Sequence, residues 1–234
     1  MNQVYVGIHL GLDRTLRGFA RKYETILLHN NISCTHLHIE DLDFEQKLRK
    51  LHYFIFHWSH IHSESQMAKT ILPVVQNVYK IQCLPDQATC WHYDDKVRQY
   101  YLLKAYDWPV VKTWVFWSRK SAMEWLNTAP LPLVFKLKGG AGSSNVILLR
   151  SKRTAKKLVD RLFSPHGIVQ GSIPYRNNLA HRRNRSIVYS LRRYIAFLRG
   201  RLGPAGINPF WQIQRDYVLF QEFLPDNEFD VRVT

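Results

Sequence analysis

The sequence is short of cysteine, of acid and of long apolar runs, and each shortage excludes something. Cys34, Cys83 and Cys90 are the only cysteines in 234 residues, and no two form a C-x-x-C pair. A disulfide framework is excluded, and a reducing cytoplasm is the expected compartment. Cys90 and His92 stand close together, but no second pair matches them, so the pattern falls short of a zinc site. No run of about 18 apolar residues occurs, so no membrane-spanning helix and no membrane partner is expected. The start, MNQVYVGIHLGLDRT, has neither the basic opening nor the small-residue cleavage site of a signal peptide. Acid is outnumbered by base, 18 Asp and Glu against 33 Lys and Arg, which leaves a formal charge of +15. An excess of that size suits an anionic ligand or a nucleic acid. Much of it lies in HRRNRSIVYSLRRYIAFLRGR, residues 181–201. That stretch carries no nucleic-acid motif, so nucleic acid stands as the lesser alternative beside a patch for an anionic substrate or a solvated surface helix.

What is present is a globular chain, 46% hydrophobic and 13% aromatic. Residues 1–88 alternate in period. QVYVGI, CTHLHIE and YFIFHW are strand-like, whereas DRTLRGFARKYETILLHN, FEQKLRKLH and SQMAKTILPVVQNVY have helical spacing. Alternation of this kind predicts an α/β unit with a mainly parallel sheet. Next comes DDKVRQYYLLKAYDWPVVKTWVF, a helix that Asp94 can cap, a stop at YDWP and a strand. Ser118 or Arg119 begins a second helix, and Ser151 caps a third. Residues 164–215 read as irregular and basic, and DYVLFQEFLPDNEFDVRVT as two β-rich runs.

The most informative stretch is PLVFKLKGGAGSSNVILL, residues 132–149, two β-prone runs around a loop of Gly and Ser. Alternation places Leu133, Phe135 and Leu137 on the core face and Val134, Lys136 and Lys138 on the other, facing whatever covers the loop. The later pair of β-rich runs is the expected cover. Gly139, Gly140 and Gly142 let the backbone approach a ligand closely, and Ser143, Ser144 and backbone N–H groups offer donors. With lysine beside them, a phosphate chain is the natural guest; a plain hairpin turn with two solvated lysines is the simpler reading. The order strand, lysine, glycine loop, strand excludes a Walker A loop, a dinucleotide fingerprint and a protein-kinase loop.

Three stretches in order, DDKVRQYYLLKAYDWPVVKT, PLVFKLKGGAGSSNV and FQEFLPDNEFDVRV, resemble the ATP-grasp superfamily of carboxylate ligases, among them glutathione synthetase and the ribosomal-protein-modifying ligases. The resemblance implies an α/β (α+β) chain: a Rossmann-like pre-ATP-grasp domain at 1–88, a first lobe segment at 89–128, and a nucleotide-binding lobe at 129–234 with a basic insertion at about 165–215. It implies ATP and Mg2+ as cofactors and a small-molecule or peptide carboxylate as substrate. The carboxylate would be activated as an acyl-phosphate for attack by an amine or other nucleophile. Lys96 and Lys136 would bind the phosphates, with Lys138 the substitute on the same face. Gly139, Gly140, Gly142, Ser143 and Ser144 would close over them. Gln221, Glu222, Phe223 and Leu224 would form the adenine hinge, Glu228 would hold the ribose, and Arg232 would face the γ-phosphate or acceptor. The family's metal ligands come from strands after the ribose acid, so the sequence is expected to be the front of a longer enzyme and inactive alone. An inert nucleotide-binding scaffold is the further alternative. His57, His60 and His62, and His9, Asp13 and Arg14, lie near predicted strand ends and are weak candidates to contact an acceptor.

Overall fold

The computed structural model describes residues 4–12, 14–16, 18–58, 62–140, 145–170 and 212–225. The chain forms two compact units, Met1–Tyr93 and Asp94–Thr234.

The first unit contains β1 (Tyr5–His9), α1 (Gly18–His29), β2 (Ser33–Leu37), α2 (Phe44–Leu48), β3 (Tyr53–Ile55), α3 (His62–Asn77), β4 (Gln82–Leu84) and α4 (Gln87–Cys90). The strands lie in the order β2-β1-β3-β4, and every pairing is parallel, with Val6 beside Cys34 and Tyr53 and with Phe54 beside Cys83. Helical crossovers are what parallel pairing requires. Both faces are covered. Leu37, Phe54, Phe56, Leu48, Ala68, Leu72 and Val75 form one core with α2 and α3; Val6, Ile8 and Ile55 form a smaller one with Ala20 of α1. Burying each large side chain contributes about 1.5–3 kcal/mol, so these two layers fix which face of the sheet meets which helix.

Two strands end earlier than their sequence suggests. β2 stops at Leu37 because the Asp41 carboxylate accepts the His38 N–H at 2.9 Å and turns the chain. β3 stops at Ile55, although Phe56 N–H still reaches the carbonyl of Leu84 at 3.0 Å. α1 begins at Gly18, later than the helical spacing from Asp13 implies; Asp13 itself lies outside the described residues.

The second unit contains α5 (Lys96–Ala105), β5 (Thr113–Phe116), α6 (Arg119–Thr128), β6 (Leu133–Lys136), β7 (Ile147–Leu149), α7 (Lys152–Leu162), β8 (Ile168–Val169), β9 (Ile213–Gln214) and β10 (Val218–Glu222). Here the sheet order is β5-β10-β6-β7 and all pairings are antiparallel. Ser118 and Ser151 accept the N–H groups of Ser121 and Thr154 and start α6 and α7, as their sequence positions imply. Leu133, Phe135, Leu137, Val218 and Phe220 pack on Ala122 and Leu126 of α6 and Ala155, Val159 and Leu162 of α7, all essentially inaccessible.

Three expectations are corrected in this unit. Of the later pair of β-rich runs, expected to cover β6, the first does not do so, and the second lies outside the described residues. The first enters the same sheet as β10, hydrogen-bonded between β5 and β6, because Val218, Leu219 and Phe220 are apolar on both faces and fit only an interior strand. Asp95, not Asp94, caps α5, its Oδ1 accepting the N–H groups of Val97 and Arg98 at 3.0 and 3.1 Å. The 164–215 stretch, read as wholly irregular, holds the β8–β9 pair at its two ends.

Candidate nucleotide-phosphate site

β6 delivers its lysines to one face by simple alternation. Phe135 and Leu137 turn into the core against α6 and α7, so Lys136 and Lys138 emerge on the opposite side. Lys136 stands directly across the ladder from Leu219. Leu219 and Tyr217 pack on that same side against Val97, in the first turn of α5. The sheet face beneath α5 therefore carries Lys136 and Lys138, and α5 begins with Lys96.

The root of the glycine loop is tied to the start of α5 at several points. Lys96 N–H donates to the carbonyl of Lys138 at 2.7 Å, and the Lys96 ammonium donates to the carbonyl of Gly140 at 2.9 Å. Gly140 N–H in return donates to both carboxylate oxygens of Asp94, each at 3.1 Å. Burial pushes the Lys96 ammonium below the ordinary lysine range, against the opposing pull of Asp94 and Asp95. A desolvated cation of this kind gains from an anion placed beside it.

The two glycines at the loop's root differ in what they demand: a side chain at Gly139 asks only that Gln170 shift, whereas Gly140 is fixed by its backbone. Gly139 is buried, and a Cβ there would come 2.9 Å from Oε1 of Gln170 and 3.5 Å from the carbonyl of Asp94. Gly140 takes φ of 101°, a conformation that side chains rarely adopt. Gly142, Ser143 and Ser144 lie outside the described residues. At the far end of the loop Asn145 is fully buried with φ of 60° and turns the chain into β7.

Tyr217 was not singled out from the sequence. Its buried hydroxyl accepts the N–H of Lys138 at 2.8 Å and donates to Oε1 of Gln214 at 3.0 Å. No sequence signal marks it, because its partner is remote in the chain. The sequence reads Asp94 as a helix cap, yet its φ is 51° and its carboxylate meets the loop.

The expected hinge divides. Gln221 and Glu222 belong to β10: Gln221 pairs with Thr113 and Val134, its side-chain amide donates to Oγ1 of Thr113 at 3.0 Å, and Glu222 N–H donates to the carbonyl of Lys112 at 2.9 Å. Phe223 and Leu224 follow the strand's end, half-buried and exposed. Glu228 and Arg232 lie outside the described residues, as does the arginine-rich 181–201 segment. Among the described residues there is no group of three or more His, Cys, Asp or Glu placed to hold a metal.

The acceptor candidates belong to the first unit. His9, at the end of β1, is buried, with its ring stacked 3.9 Å from that of Phe56 and 4.9 Å from that of His38. His57 stacks on Phe19 at 4.5 Å, and burial lowers its pKa. Burial likewise lowers that of His62. Arg14 is paired with Glu40 and Asp41 at 3.0 and 3.2 Å. His60 lies outside the described residues. No described helix is long and apolar enough to cross a membrane.

No protein-family profile matches the chain, and no curated protein matches it. Solved structures do. The RimK domain protein ATP-grasp from Sphaerobacter thermophilus is similar at 12% identity with a TM-score of 0.49, over 95% of this chain and 65% of that one. Phosphoribosylamine–glycine ligase from Thermotoga maritima is similar at 12% identity with a TM-score of 0.49, over 94% and 44%. D-alanine–D-alanine ligase from Bacillus anthracis is similar at 10% identity with a TM-score of 0.48, over 94% and 58%. The chain thus spans less than two thirds of the length of each. The family named from the sequence motifs reappears among these structures.

Proposed function

We propose that the second unit binds ATP by its phosphate chain, and that the protein is an ATP-dependent ligase of the ATP-grasp type. The observation that carries this reading is the desolvated Lys96 ammonium held 2.9 Å from the Gly140 carbonyl, at the root of a glycine loop that follows Lys136 and Lys138 on the same sheet face. A triphosphate would offset these cations, and the loop's N–H groups would add donors to its oxygens. The adenine edge would meet the backbone of Phe223 and Leu224, because Gln221 and Glu222 stand within the β10 ladder and the Glu222 N–H is already on the Lys112 carbonyl. Glu228 would hold the ribose hydroxyls and Arg232 the γ-phosphate or the acceptor, as the sequence resemblance implies.

ATP would supply the γ-phosphoryl group. The substrate carboxylate oxygen takes it as the bond to the ADP oxygen breaks; an amine then attacks the acyl carbon, and phosphate leaves with the C–O electron pair while the amine loses a proton. The chain's own share is positioning and charge neutralisation, which dominate phosphoryl transfer. Magnesium belongs to this chemistry in general, but the described residues offer no cluster to hold it, and no step is routed through it.

Calorimetry with ATP on the wild type and on Lys136→Ala tests the reading. The variant should bind more weakly by about 1–3 kcal/mol, the scale of a lost charge-assisted hydrogen bond. Unchanged affinity in a folded variant would remove Lys136 from the site. An ADP-release screen over amino acids, peptides and sugar acids would then identify the carboxylate.

A further inference from the structure

We propose that Asp94 is a positioning residue, a fixed pin that holds the root of the glycine loop in place while Lys96 exchanges its protein partner for the nucleotide. The proposal rests on the nucleotide reading above and adds a role that a helix-capping acid would not have.

The geometry separates the two neighbouring acids cleanly. Asp95 spends its carboxylate on the N–H groups of Val97 and Arg98. Asp94 is left with no capping duty and adopts the left-handed region, φ 51°, which a non-glycine residue enters at a cost. The strained turn aims its carboxylate at one target, with both oxygens 3.1 Å from the N–H of Gly140. Gly140 is itself left-handed. Two unusual backbone conformations thus meet in one charge-assisted, two-oxygen contact.

The rest of the root is held by ties with no second use. Lys96 N–H holds the carbonyl of Lys138, and Gly139 sits buried against Gln170 and the backbone of Asp94. Lys138 N–H is held from the other side by Tyr217. One tie alone comes from a group with another use: the Lys96 ammonium on the Gly140 carbonyl. When a phosphate draws that ammonium away, the Gly140 peptide loses its acceptor-side bond. Asp94 on the N–H side then remains to keep the orientation of the Gly140 peptide. The same contact explains why acid stands beside a site for an anion: the Asp94 charge is already engaged.

The test uses three chains: wild type, Asp94→Gly and Asp94→Asn. Glycine tolerates the left-handed conformation, so Asp94→Gly removes the carboxylate without asking a new side chain to bear the strain. Asparagine also accepts that conformation and keeps one acceptor oxygen. Hydrogen exchange at the Gly140 amide, read by NMR without nucleotide, should show about tenfold or greater loss of protection in Asp94→Gly and recovery in Asp94→Asn. ATP affinity by calorimetry should fall about tenfold in Asp94→Gly, the scale of one hydrogen bond to a charged group, and recover in the same order. Unchanged Gly140 protection in Asp94→Gly would overturn the tie. Tighter ATP binding would make the carboxylate a placeholder for phosphate and overturn the pin, and lost protection with unchanged affinity would overturn the positioning role. A wild type that fails to bind ATP would sink the nucleotide reading and the part of the proposal that rests on it, while the nucleotide-free amide measurement still decides the tie itself.

Discussion

Lys138 and Tyr217 hold each other twice: the tyrosine hydroxyl accepts the lysine backbone N–H at 2.8 Å, and the lysine ammonium lies 5.3 Å from the centre of the tyrosine ring. A residue just beyond β6 is thereby held, backbone and charge together, by the residue just before β10. Burial above all keeps the phenol protonated well past the ordinary tyrosine range, so the arrangement persists at any working pH. Tyr217→Phe would leave the Lys138 N–H without its acceptor and Oε1 of Gln214 without this donor. The expected cost is about 1–3 kcal/mol, read from urea denaturation of the whole chain. A variant as stable as the wild type would show that the hydroxyl is not needed there.

A second prediction concerns Gly167, which leads from α7 into β8. Its φ is 52°, and a Cβ would lie 2.5 Å from the carbonyl of Gln214 and 2.7 Å from Cγ2 of Ile213, both on β9. The backbone carbonyl cannot step aside without breaking the β8–β9 pair. Gly167→Ala should therefore cost at least the ~1–2 kcal/mol of a left-handed L-residue, seen as a lower melting temperature. An unchanged melt would mean that β9 yields freely.

His9 makes the fold sensitive to acid. Burial first, then the nearby His38, lowers its pKa from 6.5 to about 3, with Asp41 pulling the other way. Its Nε2 accepts the N–H of Ile39 at 3.2 Å, so protonation sets two hydrogens against each other. The unfolded chain takes up a proton as pH falls through 6.5, and the folded chain does not until near 3. The contribution is thus fully present above pH 6.5 and drains away between 6.5 and 3, by at most about 1.4 kcal/mol per pH unit. Asp41, whose carboxyl is lowered chiefly by its bond from the His38 N–H, adds a further loss below its ordinary 3.8. Denaturation at pH 7.5, 6 and 4.5 should show the decline, and His9→Gln should flatten it. Equal slopes in the two chains would assign the effect elsewhere.

The thiols should be sluggish. Burial, helped by Cys90 and Asp86, pushes Cys83 up to about 11, and burial also raises Cys34 and Cys90. The thiolate is the reactive form. At pH 8, iodoacetamide should alkylate Cys83 about a hundredfold more slowly in the native chain than in urea, as followed by mass spectrometry. Comparable rates would show that the β4 segment opens readily.

Much of this architecture was legible because it is local. Ser118 and Ser151 announce their helices, and β1 and the Leu133, Phe135, Leu137 alternation announce their strands. What was not legible depends on partners far along the chain. Asp94 and Asp95 are equally good caps on paper; only the demand of Gly140 for an acceptor separates them. Tyr217 has no motif, because its role is set by where Lys138 falls in the sheet. β8 and β9 are two residues each, too short for a period to show. The two apolar faces of β10 were visible, but its place between β5 and β6 was not, since neither neighbour is adjacent in sequence.

That place has a bearing on how the chain acquires its shape. β10 is an interior strand of its sheet, yet β5, β6 and β7 all precede it, and Phe135 must wait for Phe220. A ribosome delivers β5 and β6 first, each with an unsatisfied edge, and their pairing groups stay open to wrong partners until β10 emerges. The intervening segment sets the length of the loop that must close, but only logarithmically: doubling it would add about 0.6 kcal/mol. Residues added between β8 and β9 therefore cost little in closure entropy, whereas the wait for β10, and the hazard of aggregation during it, lengthens in step with every residue added.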